Sequence, residues 1–214
     1  MMNKEIYDYL DELIPNPKCE LNYNKDYELL IATMLSAQTT DKKVNEATKI
    51  LFKKYQTIDE LAKADIDDIK KIIMPIGTYN KKAKNVIEIA KKLCNDYQGK
   101  VPNNRKYLES LPGVGRKTTN VVLSNLFNVP CIAVDTHVKR VSERFGISNH
   151  DDDVYTVEKK LNKCIPKEKL SKLHHQLVLF GRYHCKAIKP DCSNCKIRKY
   201  CKKKSWFNYC KFSN

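Results

Sequence analysis

LPGVGRKTTNVV (residues 111–122) reads as the joint between two helices. Apolar Tyr107 and Leu108 precede it, and Val121, Val122 and Leu126 follow it at helical spacing. Pro112 stops the first helix, and Gly113 and Gly115 permit tight backbone geometry and close approach by another molecule. This makes residues 111–115 a hairpin. The N–H groups that open the second helix then form a phosphate site that needs no side chain, although Arg116 adds a charge beside it. An ordinary helix–turn–helix corner has the same P-G-V-G pattern. The G-x4-G-K-[ST] spacing of a Walker loop is absent.

Helical periodicity continues on both sides of the joint. Tyr27, Leu30, Ile31, Met34 and Leu35 share one face; Val44, Ala47, Leu51 and Tyr55 share another. A longer helix carries Ala83, Val86, Ile87, Ala90, Leu93, Cys94 and Tyr97. Towards the C-terminus come Val138, Val141 and Phe145, then Val154, Val157 and Leu161, then Leu170, Leu173, Leu177 and Phe180. No period-2 alternation is sustained, so the expected fold class is all-α. Most of the six glycines stand just beyond an apolar-periodic segment, where helices end, and Pro102 and Pro166 stand near helix starts. No linker or low-complexity segment divides the 214 residues, a length that suits one or two domains. No apolar run approaches the roughly 20 residues of a membrane helix, and the N-terminus has no signal-peptide core. The expectation is a soluble, cytoplasmic protein.

Forty Lys and Arg against 25 Asp and Glu give a net charge of +15. That excess points to a polyanionic partner, because neutralising phosphates releases counterions. Only six of the 40 are Arg, so part of the lysine excess reflects coding bias. Placement says more than the total. Residues 185–211 hold nine basic residues and one acid, a net +8, together with five of the nine Cys.

Cys185, Cys192, Cys195 and Cys201 are spaced C-x6-C-x2-C-x5-C. Without a secretory signal a disulfide framework is not expected, and four thiolates this close need a metal centre to neutralise them. Structural zinc sites usually pair two short Cys knuckles, whereas this stretch has one, which leans towards a cubane iron–sulfur cluster. His184 reads as a neighbour of such a centre, since four Cys already suffice.

Lys117 falls in the first turn of the second hairpin helix. A cation there opposes the helix dipole, and the same dipole with any burial exposes the amine lone pair, as a Schiff-base nucleophile requires. Phosphate binding is the other reading of this lysine. Asp135 stands at the start of the helix VDTHVKRV (134–141), where an Asp caps; capping keeps the carboxylate ionised and is compatible with catalysis. His137 suits packing or phosphate contact.

Together these residues resemble the endonuclease III family of DNA glycosylase/lyases. The resemblance runs from Glu20 to about Lys203 through LNYNKDYELLIATMLSAQTTD (21–41), IGTYNKKA (76–83), the hairpin, IAVDTHVKRV (132–141), HHQLVLFGRYHC (174–185) and the four-cysteine spacing. It implies two compact helical domains with the active-site cleft between them. One is a six-helix domain with the helix–hairpin–helix, residues 20–129. The other joins residues 1–19 to 130–204 and carries a [4Fe–4S] cluster in the loop 185–201, held by Cys185, Cys192, Cys195 and Cys201. Residues 205–214, with the single Trp206, have no counterpart in the family.

The resemblance also implies a monomeric, nucleoid-associated base-excision-repair enzyme acting on double-stranded DNA with damaged pyrimidines or abasic sites. The lesion is flipped out, Lys117 attacks C1′ to give a Schiff base, and Asp135 relays protons and stabilises positive charge on the sugar. Elimination breaks the strand 3′ to the lesion. Gly113, Gly115 and Arg116 contact the backbone, and Gln38 enters the gap left by the flipped base, where an amide can bond the orphaned partner. Thr78 stands where the family usually has a Leu wedge, which implies weaker stacking into the duplex. Thr119 replaces a usual Ala, and Glu109 matches an acidic pocket position with a minor polar role. An adenine-mismatch glycosylase generally lacks the lysine and carries a further C-terminal domain. A non-enzymatic metal-containing DNA-binding module would leave Lys117 and Asp135 without a joint role.

Overall fold

The computed structural model describes residues 2–202. The segment 205–214, with Trp206 and Cys210, and the last residues of the expected 130–204 region lie outside the described residues. Eleven α-helices and two short 3-10 turns make up the described regular structure, with no strand among the described residues, so the fold is all-α. Two compact units divide the chain: Cys19–Phe127, and Met1–Lys18 together with Asn128–Asn214.

The Cys19–Phe127 unit holds α2 (Asp26–Leu35), α3 (Asp41–Lys54), α4 (Ile58–Ala62), α5 (Ile66–Ile73), α6 (Tyr79–Tyr97), α7 (Arg105–Ser110) and α8 (Arg116–Phe127). That is seven helical segments, one more than the six implied by the resemblance. The chain breaks between α4 and α5 because Asp65 caps a new start, its Oδ1 accepting from the amides of Asp67 and Asp68, both at 2.9 Å. The five-residue α4 is closed by a capping box between Thr57 and Glu60.

α2 is the centre of this unit. The sequence suggests one apolar face, but every residue from Tyr27 to Leu35 is buried. The difference arises because α3, α6 and α8 all pack on α2, and a helix covered on all sides needs no polar face. Two of its buried polar side chains are satisfied locally. Thr33 Oγ1 donates to Leu29 O at 2.7 Å, and the Glu28 carboxylate accepts the amide of Asn24 at 2.7 Å.

The other unit holds α1 (Lys4–Leu13), α9 (Thr136–Arg144), α10 (Val154–Cys164) and α11 (Leu170–Tyr183), followed by the cysteine loop. Leu10, Ile132, Val138, Val141, Val157, Leu161, Leu173, Leu177 and Phe180 form its core. Gln176 Nε2 donates to Leu10 O, Asp11 Oδ1 and Ile14 O, which fastens the end of α1 to α11. Val154 departs from its apolar reading. It opens α10 one residue after the Asp153 cap and stays exposed, leaving Val157 and Leu161 to make the contact. Gly181 lies inside α11 rather than beyond it, because α9 crosses there. A Cβ at Gly181 would sit 2.9 Å from His137 Cβ.

Candidate active site

The hairpin is built as the residues suggest. α7 is capped by Asn104, and Pro112 holds the preceding Leu111 in extended backbone at φ −74°, ψ 144°. Leu111 and Val114 are buried, and the Val114 amide donates to Leu111 O at 3.1 Å, so the turn is pinned from below. Gly113 has φ +77°. A Cβ there would lie 2.4 Å from Asn85 Nδ2 and 3.3 Å from Met34 Cγ. At Gly115, by contrast, a Cβ would meet nothing within 4 Å. Gly113 is therefore required by the fold of its own unit, whereas Gly115 leaves an open surface beside the first amides of α8. Helical geometry gives those amides no partner within the helix.

Lys117 is the second residue of α8 and is exposed, as are Gly115 and Arg116. The burial considered for Lys117 is therefore not supplied by its own unit. The inward side of the same turn carries Thr119 and Asn120, both fully buried. Thr119 Oγ1 is an unpartnered buried hydroxyl where an alanine would leave none.

Two loops of the same unit approach each other near the start of α6. Gln38 and Thr78 are both exposed and both left-handed, at φ 56° and 57°, an uncommon state for residues with a side chain. Gln38 O lies 3.9 Å from where a Gly77 Cβ would be, so the two candidate DNA-contacting residues belong to adjoining turns. Thr78 stands at the N-cap of α6 without capping it, its hydroxyl donating instead to Gly77 O at 2.7 Å. Beneath these turns lies Lys82, which the sequence reading passed over. It is 5% exposed, and its Nζ donates to Leu35 O (2.9 Å), Ala37 O (2.6 Å) and Thr39 Oγ1 (3.3 Å). Burial pulls its ammonium below the usual lysine range. Neither Lys82 nor Asn85 stands out in sequence, since both look like members of a lysine-rich helix face.

In the other unit Asp135 is the N-cap of α9, its Oδ1 accepting from the amides of His137 (2.9 Å) and Val138 (2.8 Å). One carboxylate oxygen is thus committed to the helix. His137 packs against Gly181, with its Nδ1 3.2 Å from Arg140 Nη2, consistent with its packing role.

α9 also supports the cysteine loop. Arg140 Nε donates to Cys185 O at 3.2 Å. Arg144, which is buried, reaches Cys185 O (3.1 Å), Cys185 Sγ (3.0 Å) and Lys186 O (2.8 Å) through Nη1. The Lys202 amide donates to Arg144 O at 2.8 Å, which brings the far end of the loop back to the same residue. Inside the loop is a cavity of about 190 Å³ lined by Cys185, Cys192, Cys195 and Cys201, with Tyr9, Phe145, Phe180 and Ile197. His184 also lines it and stacks on Phe180, the two rings 6.0 Å apart. Burial pushes the Cys195 thiol up.

No group of three or more His, Cys, Asp and Glu among the described residues is gathered as a single ion requires. Around one zinc ion, thiolates at about 2.3 Å would converge on a point. Here the four cysteines, with eleven other residues, line a space many times the roughly 10–15 Å³ that one water needs. That donor set fits a group of several atoms better than one ion. Cys131 is buried, Cys19, Cys94 and Cys164 are half-buried, and no disulfide is present among the described residues.

Comparison with known proteins shows the family and the fold. The family model described as HhH-GPD superfamily base excision DNA repair protein matches residues 31–167. Endonuclease III of Bacillus subtilis (strain 168) is 47% identical over 195 residues, 91% of this chain and 89% of its own. That of Rickettsia felis is 49% identical over 201 residues, 94% of this chain and 93% of its own. Among solved structures, a trapped Endonuclease III-DNA covalent intermediate superposes with a TM-score of 0.88 at 46% identity. It covers 94% of this chain and 97% of the matched one. A thermostable thymine-DNA glycosylase matches at 0.82 and 27% identity, over 97% of this chain and 96% of its own.

Proposed function

Because this chain belongs to the endonuclease III family, within the HhH-GPD superfamily of base excision DNA repair proteins, we infer that it is a bifunctional DNA glycosylase/AP lyase. We propose damaged pyrimidines and abasic sites in duplex DNA as its substrates, and a monomer near the nucleoid as its working form. No helix among the described residues is long and apolar enough to cross a membrane.

The observation that carries the reading is the exposed Lys117 in the first turn of α8, directly after a hairpin that is open at Gly115. The amides of that turn suit a backbone phosphate, and Arg116 adds a charge-assisted contact. With the strand held there, the Lys117 amine attacks C1′ of the lesion's sugar and the base leaves with the glycosidic electron pair. Loss of a proton from the amine and opening of the sugar ring then give the Schiff base. Removal of a C2′ proton expels the 3′ phosphate by β-elimination. Desolvation by the bound DNA supplies the burial that Lys117 lacks in its own unit.

Asp135, carried by the other unit, is assigned the proton relay and the stabilisation of positive charge on the sugar. The two amides occupy its Oδ1 and leave Oδ2 for that work. Gln38 is assigned the gap left by the flipped base, and Thr78 the adjoining wedge position. The related Endonuclease III has been trapped as a covalent intermediate with DNA, which supports a covalent adduct for this chain as well.

We propose Cys185, Cys192, Cys195 and Cys201 as ligands of a [4Fe–4S] cluster, supported by the cavity they line and by the Arg144 donor on Cys185 Sγ. When bound it would tie the loop together at four points and neutralise the thiolates. The loop's lysines are exposed and suit a phosphate-binding surface.

Borohydride trapping on a thymine-glycol duplex tests the chemistry. A covalent complex is expected with the natural chain and none with Lys117→Ala, while duplex binding persists. Undiminished trapping by Lys117→Ala would refute the assignment of the nucleophile.

A further inference from the structure

Lys82 has no part in the chemistry, yet it is a buried cation whose three hydrogen-bond partners are all neutral oxygens. Lysine is almost never buried this far unless paired, and the cost of desolvating its ammonium must be offset by its hydrogen bonds. An apolar side chain of similar length would pack α6 against α2 without that cost. What the ammonium adds is directed. Leu35 O and Ala37 O lie at and just past the C-terminal end of α2, where the helix dipole favours a cation. Ala37 and Thr39 are also the two neighbours of Gln38.

Lys82 therefore grips the chain on both sides of a residue held at φ 56°, a conformation that is strained for a non-glycine residue and persists only when its surroundings enforce it. One turn further along α6, Asn85 lies against Gly113 of the hairpin, and one turn back is Thr78, the N-cap position of α6. A single helix thus supports the Gln38 loop, the Thr78 turn and the hairpin. The spacing of i, i+3 puts Lys82 and Asn85 on neighbouring parts of its surface.

We propose that Lys82 is a positioning residue. It fixes the left-handed backbone at Gln38, at a set distance from the hairpin, so that the Gln38 amide is presented to the base left unpaired when the lesion is flipped. The proposal rests on the role assigned to Gln38 under the proposed function and adds to it the group that makes the presentation rigid. Its consequence is selective: losing the grip impairs handling of the orphaned base and leaves the attack of Lys117 intact.

Single-turnover excision of thymine glycol separates this from general loosening of the fold. Two duplexes are compared, one with adenine opposite the lesion and one with a tetrahydrofuran abasic analogue there, which offers no base to recognise. Natural chain, Lys82→Met, Gln38→Ala and the double variant are measured on each. Lys82→Met is expected to slow excision about tenfold opposite adenine and less than twofold opposite the analogue, and to add nothing in the Gln38→Ala background. Equal slowing on both duplexes, or an additive effect with Gln38→Ala, would overturn the proposal. Should Lys82→Met fail to fold, Lys82→Arg, which keeps the charge but misplaces the donors, is held to the same two comparisons. A natural chain inactive on both duplexes removes the reading of function itself; an active one isolates the role of Lys82.

Discussion

The two hairpin glycines have opposite reasons to be glycine, and replacing each by alanine separates them. At Gly113 the backbone is left-handed at φ +77°, which costs an L-residue about 1–2 kcal/mol. The new Cβ would also stand 2.4 Å from Asn85 Nδ2 and 3.3 Å from Met34 Cγ. Asn85 can swing away, but Met34 is 2% exposed near the C-terminal end of α2 and has little room to move. Overpacking of this kind adds about 1–3 kcal/mol, so Gly113→Ala is expected to lose about 2–5 kcal/mol. For a chain of this size that is a fall in Tm of roughly 4–20 °C. Gly115 has no positive φ and no neighbour within 4 Å, so Gly115→Ala is expected to stay within about 0.5 kcal/mol of the natural chain. Its methyl group instead fills the space a phosphate needs beside the first amides of α8. Affinity for a duplex with an abasic-site analogue is expected to fall about tenfold at fixed salt. Thermal unfolding followed by circular dichroism, with binding measured on the same preparations, reads both effects. A Gly113→Ala chain that melts within about 2 °C of the natural one would refute the packing argument. A Gly115→Ala chain that binds normally would refute close approach at that turn.

Asp135→Asn keeps a capping oxygen and is expected to change stability by only a few tenths of a kcal/mol while excision slows by two orders of magnitude or more. Asp135→Ala adds a loss of about 1 kcal/mol in denaturant unfolding; full activity in Asp135→Asn would confine this residue to capping. Thr119→Val removes a buried hydroxyl with no partner at nearly constant volume, so a gain of about 1 kcal/mol is expected, and a loss would show that the hydroxyl is used. Anaerobically purified protein is expected to carry about four iron atoms and to lose them with its visible absorption in Cys195→Ser; stoichiometric zinc without iron would remove the cluster. Burial pushes Tyr27 and Tyr55 up to about 12, Tyr55 also through its bond to Asp68. Because the unfolded tyrosine ionises near 10, their contribution is complete below about pH 10 and is lost as the pH rises towards 12; Tyr55→Phe should flatten that alkaline decline.

Most of the helical architecture was readable because its cause is local. Apolar residues at a spacing of three and four must lie on one side of a helix, and α3, α6, α9 and α11 all bury the faces their sequences mark. The hairpin was readable for the same reason, as Pro112 and Gly113 restrict or release the backbone at their own positions. Asp135 announced itself as a cap because capping involves amides two and three residues ahead. Where surroundings rather than neighbours decide, the reading was incomplete. α2 has one apolar face by pattern but is covered on every side, Val154 has an apolar side chain but stays exposed, and Gly181 is small because α9 crosses α11.

The candidate site divides along the same line. The sequence by itself singled out the residues to which the chemistry is assigned as a proposal: a lysine opening a helix after a glycine hairpin, an acid at a cap, and four thiols in one basic stretch. These follow from residue type and short spacing, and the resemblance to a family rests on them. Only the tertiary structure decided what holds those groups. Lys82 and Asn85 look like any other members of a lysine-rich helix until α6 is laid against α2 and the hairpin. Arg144 looks like a surface charge until α9 brings it to Cys185 Sγ. Gly113 and Gly115 are the same letter two places apart, and only the packing beneath one and the open space beside the other tell them apart. The physical reason is range: periodicity and caps act within a few residues, whereas burial, close approach and the partners of a buried charge depend on segments 40 or more positions away.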